Sequence, residues 1–135
     1  MITLGDLQTI LPMLDRVVKM RVSGHVLLRA LENAVSQYPT TSGRFLQVSG
    51  LSFQFQPANA KNERIQSVNI IGRGQLMPDE TYTVSTKAFV ANGKDGFDCF
   101  MMKDSNHVVK QPCATEAELD NLPVLRHDII QTLKG

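Results

Sequence analysis

The sequence is poor in several residue types, and each shortage excludes a class of protein. It has no tryptophan and only two cysteines, Cys99 and Cys113. Two thiols are too few for a disulfide-rich scaffold or a four-cysteine zinc site; they form either one disulfide or two buried thiols. Fourteen basic and thirteen acidic residues leave a net charge of +1. This balance gives no electrostatic reason to expect nucleic acid or an anionic membrane as a partner.

Long apolar runs and amino-terminal targeting patterns are also missing. No stretch approaches the ~20 apolar residues that a membrane-spanning helix requires, so we expect no membrane segment in this chain. The start, MITLGD, has neither the basic region nor the apolar core of a signal peptide. The compartment stays open, because a targeting signal would lie upstream of Met1. With 135 residues, 42% of them hydrophobic, the chain is predicted to be one globular domain over 1–135.

Hydrophobic periodicity in the first third predicts two helices and a strand. Thr3 and Asp6 have capping-box spacing, which predicts a helix over about 4–11. A strand follows at about 17–22. The clearest helix has an apolar stripe at helical spacing, made of Val26, Leu27, Ala30, Leu31, Ala34, Val35 and Tyr38. Its opposite, polar face is predicted to carry Arg29, Glu32, Asn33, Ser36 and Gln37.

After Gly43 the hydrophobic period changes from helical to two, which predicts strands. The alternation favours strands at 45–48, 51–55, 65–71 and 82–90. The links between the middle strands are short, which favours antiparallel pairing. Helical patterns return only at 116–122 and 124–133. The sequence therefore predicts an α+β fold with a mixed, mostly antiparallel sheet and flanking helices.

The chain lacks the patterns of a self-contained catalytic centre. His25, His107 and His127 have no partner at a metal-binding spacing, and we interpret all three as surface or cap residues. There is no phosphate-binding loop, dinucleotide fingerprint or nucleophile elbow. We therefore predict no catalytic residue and no metal ligand within this chain.

The most informative segment is AFVANGKDGF, residues 88–97. Phe89 is an apolar exception on the polar face of the predicted strand 82–90. Asp95 lies between Gly93 and Gly96, which allow a close backbone approach. An exposed ring beside a carboxylate suits a planar base joined to a sugar diol, since the base stacks and the diol donates hydrogen bonds. The alternative is an ordinary turn, with Phe89 packed on a neighbouring element.

Three segments, 30–35, 43–51 and 82–84 continuing into 89–97, resemble the C-terminal domain of the 5'-nucleotidase family. The resemblance covers about 2–100, and no motif is matched after Lys103. In that family an N-terminal metallophosphoesterase domain carries two divalent metal ions and hydrolyses the phosphate ester. The C-terminal domain binds the nucleoside. The resemblance therefore implies a part of a nucleotide-hydrolysing enzyme that acts in nucleotide catabolism.

The resemblance also implies residue roles. Phe89 matches the phenylalanine that stacks on the base, and Asp95 matches the aspartate that bonds the ribose hydroxyls. Asn92, Gly93 and Gly96 complete the implied substrate-binding loop. Met13 stands where a second phenylalanine commonly closes the base sandwich, and a thioether packs on a ring less rigidly.

The family's nucleoside-binding asparagine and arginine lie upstream of Ile2, so the resemblance implies a domain that is N-terminally incomplete. Its implied partners are a nucleoside or nucleotide and an N-terminal metallophosphoesterase domain, and the isolated domain is expected to be inactive. The two metal ions are expected in that other domain. The alternative is a non-catalytic binding or interaction module that keeps the fold, because Met13 and Lys94 depart from the family's pattern.

Overall fold

The computed structural model describes residues 3–10, 16–101 and 108–112, the last range through its backbone. Three helices occur in these ranges, followed by two single 3-10 turns: α1 Leu4–Ile10, α2 Gly24–Val35, α3 Ala88–Ala91, and the turns Lys94–Gly96 and Asp98–Phe100. The strands are β1 Val17–Ser23, β2 Leu51–Phe55, β3 Ile65–Ile70, β4 Gly74–Gln75, β5 Thr81–Lys87 and β6 Val108–Pro112. The mixture of helices and antiparallel strands confirms the predicted α+β class.

The described strands form two three-stranded sheets, ordered β5-β1-β6 and β2-β3-β4, where the sequence predicted one. All pairings are antiparallel. In the first sheet, Met20 of β1 lies opposite Val84 of β5 and Lys110 of β6. The second sheet is a run of consecutive hairpins. Among the described strands, β2, β3 and β4 pair with one another and with no strand of the first sheet.

Helix α2 contacts β1 of the first sheet and β3 of the second, and its apolar face forms part of the core. The Ser23 hydroxyl caps it by accepting from the Val26 N–H at 3.4 Å. The predicted stripe is buried as expected, apart from Tyr38, which lies in the turn after the helix and is exposed. The stripe packs among the fully buried Phe97, Met20 and Val22. Burial of each large side chain stabilises the fold by about 1.5–3 kcal/mol.

The polar face of α2 was predicted incorrectly at Glu32 and Ser36, which are both buried. The Glu32 carboxylate accepts the Arg64 N–H at 3.1 Å and the Ile65 N–H at 2.8 Å, at the start of β3. The Ser36 hydroxyl donates to the Asn33 carbonyl at 2.7 Å. Both side chains are buried because each has a backbone partner that satisfies it.

Three other expectations need correction. Residues 45–48 form no strand; Phe45 instead closes a turn by donating its N–H to the Ser42 carbonyl. The strand predicted over 82–90 ends at Lys87, because residues 88–91 coil into α3. Strand β6 forms where the sequence predicted no element. The helices predicted at 116–122 and 124–133 lie outside the described residues.

The amino terminus of α1 agrees with the prediction from the sequence. At α1 the Asp6 N–H donates to the Thr3 hydroxyl at 3.1 Å, and the Asp6 carboxylate accepts the Thr3 N–H at 2.8 Å. The Thr3 hydroxyl also donates to the Asp6 carboxylate at 2.6 Å, and this bond, together with the one from the Thr3 N–H, lowers the pKa of Asp6. His25, the second residue of α2, is exposed as expected. No helix within the described ranges has the length and apolar character to cross a bilayer.

Gly24 lets α2 begin directly against the turn before β5. Its N–H donates to the Glu80 carbonyl at 2.9 Å, and the His25 N–H donates to the Pro78 carbonyl at 3.0 Å. A Cβ at position 24 would overlap the Met77 carbonyl oxygen. Only glycine therefore permits this contact without a shift of the backbone.

Candidate functional site

Phe89 lies on α3, immediately after β5, and its side chain is 48% exposed. Two backbone hydrogen bonds define the ends of this short helix. The Ala88 N–H donates to the Arg16 carbonyl at 2.8 Å, and the Asn92 N–H donates to the Ala88 carbonyl at 2.9 Å. Phe89 makes no aromatic ring contact with any residue in the described ranges. The element differs from the predicted strand end. The sequence left open whether the ring is exposed or packed on a neighbouring element, and its exposure favours the first alternative.

The segment after Phe89 contains three residues in the left-handed region. Gly93 has φ 78°, Asp95 has φ 54° and ψ 30°, and Gly96 has φ 80°. Glycine adopts this region freely, whereas an aspartate does so at some cost in conformational energy. A non-glycine residue held there by its surroundings is a common feature of binding loops.

The Asp95 carboxylate is exposed and has no hydrogen-bond or ion-pair partner among the side chains and backbone that the structure describes. Its oxygens are therefore available to an external donor. The Asp95 carbonyl, in contrast, accepts the Asn33 Nδ2 amide of α2 at 3.0 Å. A Cβ placed on Gly43 would lie 3.4 Å from Asp95 Oδ2, so the carboxylate lies beside the turn at 43–44.

Five of the six sequence-predicted site residues thus lie in one described segment: Phe89, Asn92, Gly93, Asp95 and Gly96. Met13 lies outside the described residues. The sequence analysis assigned no role to Asn33, which bonds this segment from α2, or to Arg44, which lies in the turn at 43–44 and bonds Asn33. Their sequence signal was weak. An amide on a polar helix face is ordinarily solvated; both residues lie in segments that resemble the family, 30–35 and 43–51, but the resemblance gave neither of them a role.

A groove of about 700 Å³ lies elsewhere, between α2, β5 and residues 46–51. Its walls are largely apolar, with Leu27, Leu31 and Val84 on them. It reaches Val90, yet none of the five described site residues lines it. Its described lining comes from β5 of one sheet and from β2 and β3 of the other, and contains no carboxylate.

Metal chemistry has no support from the side chains described. Within these ranges no three His, Cys, Asp or Glu residues are grouped so that they could hold an ion. Cys99 is a buried free thiol. Burial raises the pKa of the Cys99 thiol to about 11, with the Arg29 charge opposing the shift. The thiol is therefore neutral near pH 7 and is a poor nucleophile.

Residues 1–102 match the family model described as "5'-nucleotidase, C-terminal domain". The chain belongs to the 5'-nucleotidase C-terminal domain family. It is 30% identical over 110 residues to a 5'-nucleotidase of Homo sapiens, covering 76% of this chain and 19% of that protein. It is also 33% identical over 119 residues to an apyrase of Tabanus yao, covering 80% of this chain and 21% of that protein.

A solved structure shows the same architecture. The crystal structure of a 5'-nucleotidase precursor from Thermus thermophilus is 34% identical to this chain and superimposes with a TM-score of 0.78. That likeness covers 98% of this chain and 25% of the other. The chain thus spans only about a fifth to a quarter of the length of these relatives. Membership of the family and the α+β fold of its C-terminal domain are established by these matches.

Proposed function

We propose that this chain is the nucleoside-recognition domain of a 5'-nucleotidase-type phosphoric ester hydrolase. One observation carries the proposal: the exposed ring of Phe89 is followed, six residues later, by an unpartnered Asp95 carboxylate on a left-handed loop. The two groups offer a stacking plate and a hydrogen-bond acceptor within one short segment. A nucleoside presents the complementary pair, a planar base and a vicinal diol.

Each residue has a distinct task in this proposal. The Phe89 ring stacks on the base, which is worth on the order of 1–3 kcal/mol by analogy with bases stacked on aromatic side chains. The Asp95 carboxylate accepts the two ribose hydroxyls in charge-assisted hydrogen bonds. Gly93 and Gly96 give the loop its left-handed turns, and Asn92 ends α3 just before it. Met13 closes the other side of the base.

Hydrolysis is assigned to a different domain. The relatives are hydrolases several times longer than this chain, and the described residues do not fit a metal centre. In the proposed whole protein, an N-terminal metallophosphoesterase domain with two divalent metal ions supplies the activated water, and residues 1–135 hold the nucleoside. The isolated chain is accordingly proposed to bind nucleosides weakly and to hydrolyse nothing.

The test is a titration of the ¹⁵N-labelled chain with adenosine, followed by NMR. We expect millimolar binding with shift changes concentrated in residues 89–96. Phe89→Ala should weaken the affinity roughly tenfold, within the range for the loss of one stacked base. Tyr38→Ala is the matched control. Tyr38 is also an exposed aromatic residue, but its ring contacts Phe55 of β2, with ring centroids 5.2 Å apart.

A second arm tests the carboxylate with a ligand that lacks the diol. Wild-type protein should prefer adenosine to 2',3'-dideoxyadenosine by about tenfold, and Asp95→Asn should lose most of this preference. Asp98→Asn, an exposed carboxylate three residues away, should retain it. Absence of shifts in residues 89–96 at millimolar adenosine would overturn the proposal and favour a non-catalytic interaction module. Equal affinity of the wild type for both ligands would remove the role of Asp95.

A further inference from the structure

We infer that Asn33 is a positioning residue for nucleoside binding: its side-chain amide holds Asp95 in the left-handed conformation, and Arg44 holds that amide in its donating orientation. The inference rests on the proposed function and extends it to residues outside the loop that carries Phe89 and Asp95. It begins from the 3.0 Å hydrogen bond from Asn33 Nδ2 to the Asp95 carbonyl, which joins residues 62 positions apart.

The orientation of the Asn33 amide follows from its two neighbours. A guanidinium only donates and a backbone carbonyl only accepts. Arg44 Nη1 lies 3.5 Å from Asn33 Oδ1, at the long end of the hydrogen-bond range, and the Asp95 carbonyl lies on the Nδ2 side. A flipped amide would place two donors together and two acceptors together. Arg44 therefore selects the amide orientation that bonds Asp95.

The loop backbone also lies directly against this pair. A Cβ on Gly96 would lie 2.8 Å from Asn33 Oδ1 and 3.3 Å from Arg44 Nη1. Position 96 thus requires glycine for space as well as for its φ of 80°. The loop backbone thus approaches Asn33 and Arg44 closely, and the Asp95 carboxylate lies beside Gly43. Residues 33 and 43–44 therefore all lie against the loop.

The energetic consequence concerns the conformational population of Asp95. A single net hydrogen bond is comparable in size to the preference of an aspartate for right-handed over left-handed backbone. Loss of the bond should therefore reduce the binding-competent population by about threefold to tenfold, and the apparent affinity falls in proportion to that population. The ligand contacts themselves are unchanged.

The decisive variant is Asn33→Asp. It keeps the side-chain shape and an oxygen facing Arg44, and it removes the donor to Asp95. We expect adenosine affinity to fall about threefold to tenfold, and the preference for adenosine over 2',3'-dideoxyadenosine to fall toward parity. Without ligand, the Phe97 amide should exchange faster with solvent, because it donates to the Lys94 carbonyl within this loop at 3.2 Å. Arg44→Met should act in the same direction more weakly.

The matched control is Asn59→Asp. The Asn59 Nδ2 amide also spans a loop, donating to the Glu63 carbonyl at 3.0 Å, and it lies in the β2–β3 connection. This variant should leave both the adenosine preference and Phe97 exchange unchanged. If the wild type shows the preference and Asn33→Asp keeps it, the positioning role is overturned and the proposed function stands. If the wild type does not bind adenosine, both fall.

Discussion

Glu32 offers the sharpest test of how α2 is joined to the second sheet. Its carboxylate is buried and accepts two backbone N–H groups, from Arg64 at 3.1 Å and from Ile65 at 2.8 Å. Glu32→Gln preserves the shape but replaces one acceptor oxygen with an amide donor. One of the two backbone N–H groups is then left facing another donor in a buried place. Asp or Ala would also change volume, which makes Gln the cleaner substitution.

The magnitude follows from the kind of bond that is lost. A hydrogen bond to a charged group contributes about 1.5–3 kcal/mol, and the orphaned donor adds its desolvation cost. Removal of a buried charge offsets part of this loss. We therefore expect Glu32→Gln to lower the free energy of unfolding by about 2 kcal/mol, which at an m-value of about 2 kcal/mol/M moves the urea midpoint by about 1 M.

The assay is urea denaturation followed by circular dichroism, with Glu63→Gln as the control. Glu63 is exposed in the same connection, and its carboxylate has no partner among the described residues. Its substitution should change stability by no more than about 0.5 kcal/mol. Equal midpoints for the two variants would refute the reasoning, since Glu32 would then contribute no more than a solvated carboxylate. A changed slope m would instead indicate an altered unfolded or native ensemble.

Two further predictions concern packing and the buried thiol. Gly24→Ala should lower the unfolding free energy by about 1–3 kcal/mol, because its Cβ would lie 2.8 Å from the Met77 carbonyl carbon. Gly5→Ala in α1 should instead raise it by about 0.5–1 kcal/mol. Thermal melts compare the two variants, and an unchanged stability of Gly24→Ala would contradict the close approach. In a Cys113→Ser background, Cys99 should resist maleimide labelling at pH 8 and react only on unfolding. The reason is that burial raises the pKa of its thiol to about 11. Prompt labelling of the folded protein would refute this prediction.

The local patterns of the sequence predicted secondary structure well where one effect, the burial of apolar side chains, decides the structure. The stripe of α2 was predicted correctly, because burial of apolar groups at helical spacing needs no knowledge of the partner surface. The environment of Phe89 stayed open, because a single apolar residue on a polar face is compatible with an exposed ring and with packing on a neighbouring element; the structure shows it exposed. The family resemblance added the roles proposed for Phe89 and Asp95.

The errors arose where a distant partner decides the outcome. Glu32 is buried only because the Arg64 and Ile65 amides reach it from 32 and 33 positions away. Periodicity assigns a carboxylate to solvent and contains no information about such amides. Strand β6 was missed for the same reason, since its pairing with β1 is what makes Val108–Pro112 a strand. A polar, unpatterned stretch carries no local signal of that pairing.

Adjacent residues of α2 explain why the candidate site could not be completed from the sequence. Successive helical residues point about 100° apart, so Glu32 and Asn33 face different neighbours. Glu32 bonds the start of β3, whereas Asn33 bonds the loop that carries Asp95. One helix therefore ties the second sheet and the proposed binding loop to the same rigid frame. Loosening the Glu32 contact should destabilise the domain, while loosening the Asn33 contact should change nucleoside affinity, and only the second effect depends on the ribose diol.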